Sequence, residues 1–406
     1  MKLSYFSLFL LFLALASSGY SQTAKDYTDR GNEKEELGDH SGAIIEFSKA
    51  LEIDPQNKES FVLRGISKSG LGDFNGAITD FSKAIEIDSQ FITAYFIRGS
   101  AKSRLKDYIG AIADFSKALE IDPKYSMALS NRGYSKSELQ DYNGAIVDYS
   151  SAIELDPKNS FAYYDRGNAR KYLENFKGAI SDYSSAIEIE PRKEWFSSRG
   201  GAKFQIKDYV GAIADFTKVI EFEPRNEKAY YLRGECKKNL GNNNEAIEDY
   251  NKAIEINPKF AESYFGRGEV LANIKDNIAA IVNFTKAIEI NPKLAPAYSN
   301  RGSAKADLQD HRGAISDFSK SLELDTKDAN TLAQRGLVET RLKDYNGAIK
   351  DFNLAIEINP KFSKAYYYRG LVKITLDQKD SGCLDLSKAG ELGDAEAYDA
   401  IKKYCQ

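Results

Sequence analysis

Histidine, cysteine and tryptophan are scarce, with two, three and one among 406 residues. His40 and His311 stand far apart in the chain, so a histidine-centred metal site or nucleophile–base pair has almost no material to be built from. Neither charge is in excess: 56 lysines and arginines face 60 aspartates and glutamates, with the signs mixed along the chain. That excludes the basic stripe by which proteins hold nucleic acid. Long apolar runs are missing beyond the first 21 residues. There Lys2 precedes an apolar stretch from Phe6 to Ala16, followed by small and polar residues. The stretch is shorter than the roughly 20 residues that span a bilayer, and it suits a secretory signal. Residues 1–21 are therefore expected to be a cleavable signal peptide, cut after Ala16 or Ser21, with an uncleaved anchor helix as the alternative. The chain is then expected to be secreted or periplasmic, without membrane insertion after cleavage.

What the chain has in plenty is repetition. The glycines of an Arg-Gly pair fall at Gly31, Gly65, Gly99, Gly133, Gly167, Gly200, Gly234, Gly268, Gly302, Gly336 and Gly370, spaced by 34 residues except for one step of 33. Eleven such units leave little sequence for a separate catalytic domain. With Ile92 as position 1, Gly99 is position 8. Position 16 is Asp or Asn in ten units, Asp107 and Asn175 among them, and Gln378 in the last. These are helix N-cap residues, so a second helix starts there. Position 32 is proline in eight units, Pro55 to Pro360, which ends that helix. Each unit thus reads as a pair of antiparallel helices.

A glycine inside a helix costs about 1 kcal/mol against alanine, so its recurrence at position 8 requires a close neighbour. The alanine at position 20, as Ala111, is the expected one, which makes the position numbers of contacting residues sum to about 28 and sets the aromatic at position 4 against that at 24, Tyr95 on Phe115. One such pair of helices cannot bury its own rings. Neighbouring units must stack.

An aromatic at 4, Gly at 8, Ala at 20, an aromatic at 24, Ala at 27 and Pro at 32 in a 34-residue helix pair resembles the tetratricopeptide repeat family, over residues 22–390, with 391–406 expected as a C-terminal capping helix. The resemblance implies an all-α, right-handed superhelical solenoid whose first helices line a groove for peptides or partner proteins. With almost no sequence outside the repeats, no catalysis and no cofactor are expected. Two positions differ from the family: position 7 is arginine throughout and position 11 is mostly lysine. Position 23 carries a carboxylate in every unit but one, so an arginine–carboxylate ladder is expected, Arg98 with Asp114 and Arg132 with Asp148.

By the same resemblance the groove lies at positions 2, 5, 6, 9, 12 and 13. Its candidate residues are Leu63, Phe96, Ile97, Asn131, Tyr134, Tyr164, Asn168, Tyr172, Phe204, Tyr231, Phe265 and Asn300, with Asp165 and Lys171 interspersed. Some of these rings are expected only to pack between neighbouring helices. The family's clamp for a C-terminal carboxylate needs lysine at position 5, which no unit has.

Cys236 sits at a core position. Cys383 and Cys405 fall near the start of one helix and the end of the next, so a disulfide is expected to close the C-terminal cap, contributing roughly 3 kcal/mol; two free thiols are the alternative. In the last unit Asp380 is an alternative cap to Gln378. The expected function is a non-enzymatic interaction scaffold for an unidentified protein or peptide, or else a docking subunit of an envelope enzyme or secretion complex.

Overall fold

The computed structural model describes residues 22–405; the expected signal peptide lies outside them. Among the described residues there are 23 α-helices and no strand, running from Ala24–Glu36 to Ala395–Tyr404. They alternate between first helices of 13 residues and second helices of 14, as in Ile92–Arg104 and Tyr108–Ile121, until the last pair, whose second helix Lys379–Glu391 has 13 and is followed by a final helix of 10. Two compact segments divide the chain, one to Trp195 and one from Phe196. Within each, the helices of a pair pack on one another and each second helix packs on the next first helix. No described helix is long and apolar enough to cross a membrane.

Local chemistry explains where helices begin and end. The carboxylate of Asp107 accepts from the Gly110 amide at 2.9 Å, and the same cap recurs from Asp39 to Asp344 except at Asn242. Gln378 makes no side-chain cap, yet the helix still starts at Lys379, so Asp380 is not its cap. Each first helix closes through a left-handed residue at position 15. This is glycine at Gly38, Gly72 and Gly241 but Lys106, Gln140, Lys207 and others elsewhere. In the third repeat the Asp107 amide then reaches the Lys102 carbonyl at 2.9 Å, tying off the helix. The residue missing near Trp195 comes from the connecting turn; helix Lys193–Gln205 keeps its 13 residues.

In every second helix the residues at positions 20, 24 and 27 form the buried seam, with Ala111, Phe115 and Ala118 fully enclosed and Gly382, Leu386 and Ala389 buried in the last. The register differs from the expected one. A Cβ on Gly99 would stand 2.8 Å from the Phe115 ring, and one on Gly31 only 2.4 Å from Phe47. The glycine makes room for the ring at position 24 rather than for the alanine at 20, whose carbonyl comes within 3.2 Å of such a Cβ at Gly302. Likewise the ring at 24 meets position 5, not position 4: Phe96 and Phe115 centroids are 5.8 Å apart, and Phe265 and Phe284 the same. A helical side chain leans toward its own N-terminus, which in an antiparallel partner means toward higher position numbers in the first helix.

Cys236 is fully buried, and desolvation pushes its thiol up to about 12. Cys383 and Cys405 are joined as a disulfide with Cα atoms 5.8 Å apart, tying the last helix to the one before it.

Candidate interaction face

Arg98 lies flat against Asp114, donating from Nε at 3.0 Å and from Nη2 at 2.7 Å. Its third nitrogen donates to Ser82 of the preceding repeat at 3.0 Å. The Lys102 ammonium reaches the same carboxylate at 2.8 Å, and the Tyr95 ring lies 5.6 Å from the guanidinium carbon. Arg132 and Asp148 repeat this with Ser116 and Lys136. The node therefore binds one repeat to the next as well as one helix to its partner. Position 4, expected against position 24, instead flanks the arginine. Bidentate geometry and a carboxylate only 3% exposed make this a strong form of ion pair.

Among the repeats that depart from the node, two do so in opposite ways. Where position 11 is Leu271, position 23 is Asn283, and Arg267 donates to its amide oxygen at 2.7 Å. Where position 11 is Glu339, two carboxylates share one arginine: Arg335 holds Asp351 at 2.7 Å, while desolvation and then the Asp351 charge push Glu339 up to about 7. One Glu339 oxygen is buried without a hydrogen-bond partner.

The first helices of successive repeats also touch each other, as Ile92–Arg104 does Ser126–Glu138 and Ala261–Asn273 does Ala295–Asp307. Hydrogen bonds run between them: Ser67 donates to Glu35 at 2.7 Å, and Lys238 to Glu269 at 2.8 Å. Two clefts open on this face, one in each segment. The cleft in the first segment, 430 Å³, is lined by Tyr134, Glu138, Tyr142, Tyr149, Tyr164, Asp165, Asn168, Lys171 and Tyr172. Tyr172 stacks on Tyr142 at 4.9 Å, and Asn168 accepts from the Tyr183 hydroxyl at 2.8 Å. The cleft in the second segment, 560 Å³, is polar, with Lys238, Asn239, Glu269, Asn273, Asn300 and Asp307.

Of the sequence candidates, Tyr134, Tyr164, Asn168 and Tyr172 thus converge on one cleft and Asn300 lines the other. Phe96, Tyr231 and Phe265 are half-buried packing rings over position 24. Phe204 packs on Tyr209, and Ile97 on the core around Phe81. Leu63 is half-buried, and Asn131 donates to the Met127 carbonyl of its own helix. The serine, threonine or asparagine that receives the arginine of the following repeat was overlooked in the sequence. Its signal is there, at position 25 of repeat after repeat.

The family described as tetratricopeptide repeat matches residues 27–57, 59–91, 92–125, 162–193, 261–294, 295–328 and 329–362. A related description, TPR repeat, matches 133–172 and 236–274. Among solved structures, yeast Tom70 is 16% identical over 94% of this chain and 95% of its own, with a TM-score of 0.45. YrrB, described as a TPR protein with an unusual peptide-binding site, is 24% identical over 45% of this chain and 95% of its own, with a TM-score of 0.42. A tetratricopeptide repeat protein from Parabacteroides merdae is 20% identical over 61% of this chain and 99% of its own, with a TM-score of 0.44. No curated protein sequence matches the chain.

Proposed function

The chain belongs to the tetratricopeptide repeat family, and on that premise we propose that it is a non-enzymatic scaffold binding peptide or protein segments along the face of its first helices. One observation carries the reading: large rings stay open on that face, Tyr172 63% exposed and Tyr134 42%, beside polar groups at the same cleft. Rings with polar neighbours in a concave site suit an extended chain, whose backbone needs hydrogen bonds and whose side chains need surface. Among the described residues no cluster of histidine, cysteine and carboxylate could hold a metal ion.

Panning the full chain, without residues 1–21, against a random 12-residue display library tests this. Peptides selected on it should lose binding when first-helix residues such as Tyr134 are replaced by alanine. Failure to select any peptide, or selection of peptides indifferent to every first-helix substitution, would contradict it.

The same proposal places the protein outside the cytoplasm. The apolar N-terminal stretch supports this, as does the disulfide, which belongs in an oxidising compartment. N-terminal sequencing of the exported chain should begin at Ser17 or Gln22; a chain retaining Met1 inside the cell would contradict export.

A further inference from the structure

We propose that the tyrosine cleft of the fourth and fifth repeats receives a cationic side chain, lysine or arginine, from the bound segment, with Asp165 as its counter-ion. This rests on the first-helix face being the binding face and names the chemistry it selects.

Asp165 occupies position 6, where other repeats place Leu63, Ile97, Asn131, Leu232 or Asn300; the only other acid there is Asp29, in the first repeat. Unlike the carboxylates of the arginine nodes, it makes no hydrogen bond or ion pair among the described residues. It is half-buried at the wall of a cleft lined by five tyrosines. Desolvation alone pushes its carboxyl up to about 6, and no neighbouring cation offsets this. A partly dried carboxylate without a partner is costly, and an entering cation recovers that cost.

The rings add to the attraction. The faces of tyrosine rings attract cations, and this cleft already shows the contact, since the Lys171 ammonium sits 5.3 Å from the centroid of Tyr172. Other occupants fit less well. An acidic side chain would meet Asp165 and Glu138 with only Lys171 in its favour. An apolar one would cover Asp165 and leave it unpaired. The volume of 430 Å³ admits a long side chain with its flanking backbone.

The test titrates the full chain, its tyrosine rings isotopically labelled, with the Nα-acetyl amides of arginine, lysine, norleucine and glutamate, followed by NMR. The arginine and lysine probes should shift cleft tyrosines saturably and bind about tenfold more tightly than norleucine, as expected for one charge-assisted contact. Asp165→Asn, which keeps the shape, should remove that tenfold advantage and leave norleucine unchanged. Tyr172→Leu, at an exposed ring, should weaken both cations without altering the fold. Norleucine or glutamate binding as tightly as lysine, no saturable shift from any probe, or an Asp165→Asn chain that keeps its preference for cations overturns the proposal. If peptides selected from the library still map to other first-helix residues, only the cationic specificity falls; if none is selected, the binding-face reading falls with it.

Discussion

Two regions of each repeat behave oppositely. Between the helices the same node returns with small variations: arginine at 7, carboxylate at 23, lysine at 11, a hydroxyl at 25 of the repeat before, an aromatic at 4. On the first-helix face no two repeats agree, so that one segment opens a tyrosine cleft and the other an amide-rich one. The regular region gives the chain its stacking, and the irregular region is free to carry specificity. Substitutions should separate accordingly into those that cost stability and those that cost binding.

The largest effect is expected at the node. Asp114→Ala leaves Arg98 and Lys102 facing each other without an acid, and breaking a buried ion pair from one side costs about 3–5 kcal/mol. Contacts in a repeat array are local, so hydrogen exchange of residues 92–121 is the measurement, and unchanged protection there would break the comparison. Exchanging the pair, Arg98→Asp with Asp114→Arg, should not restore stability, because Lys102 would then meet an arginine.

Next in size is Gly99→Ala. The added methyl meets the Phe115 ring at 2.8 Å, and forced packing of this kind costs about 1–3 kcal/mol. Smaller still, and dependent on pH, is the effect of Glu339. Its carboxyl is raised from 4.5 to about 7 in the fold, so the folded chain keeps a proton that the unfolded chain releases. Stability in this repeat should therefore fall as pH rises from about 4.5 to 7. Glu339→Lys, which restores the ordinary node, should abolish that fall. A flat profile in the parent chain would contradict the assignment. Smallest of all is Tyr172→Leu on the open face, which should change stability by no more than about 0.5 kcal/mol while weakening binding.

The repeat, the caps at position 16 and the facing of Arg98 and Asp114 were legible because each follows from spacing along one or two helices. The register was legible only to within a turn, since the lean of side chains carries the Phe115 ring past position 4 to Gly99 and Phe96. What joins one repeat to the next was harder to see. The Arg98–Ser82 bond links residues 16 apart across a packing that no single repeat reveals. The cleft is of the same kind: Tyr134, Tyr164 and Tyr172 belong to two helices, and only their stacking brings them around Asp165.

The separation of stacking from recognition is tested most directly by the hydrogen-exchange footprint of a library-selected peptide on the full chain. Protection should fall on the first helices Ser126–Glu138 and Ser160–Tyr172. Protection confined to the second helices Tyr142–Leu155 and Phe176–Ile189 would contradict it.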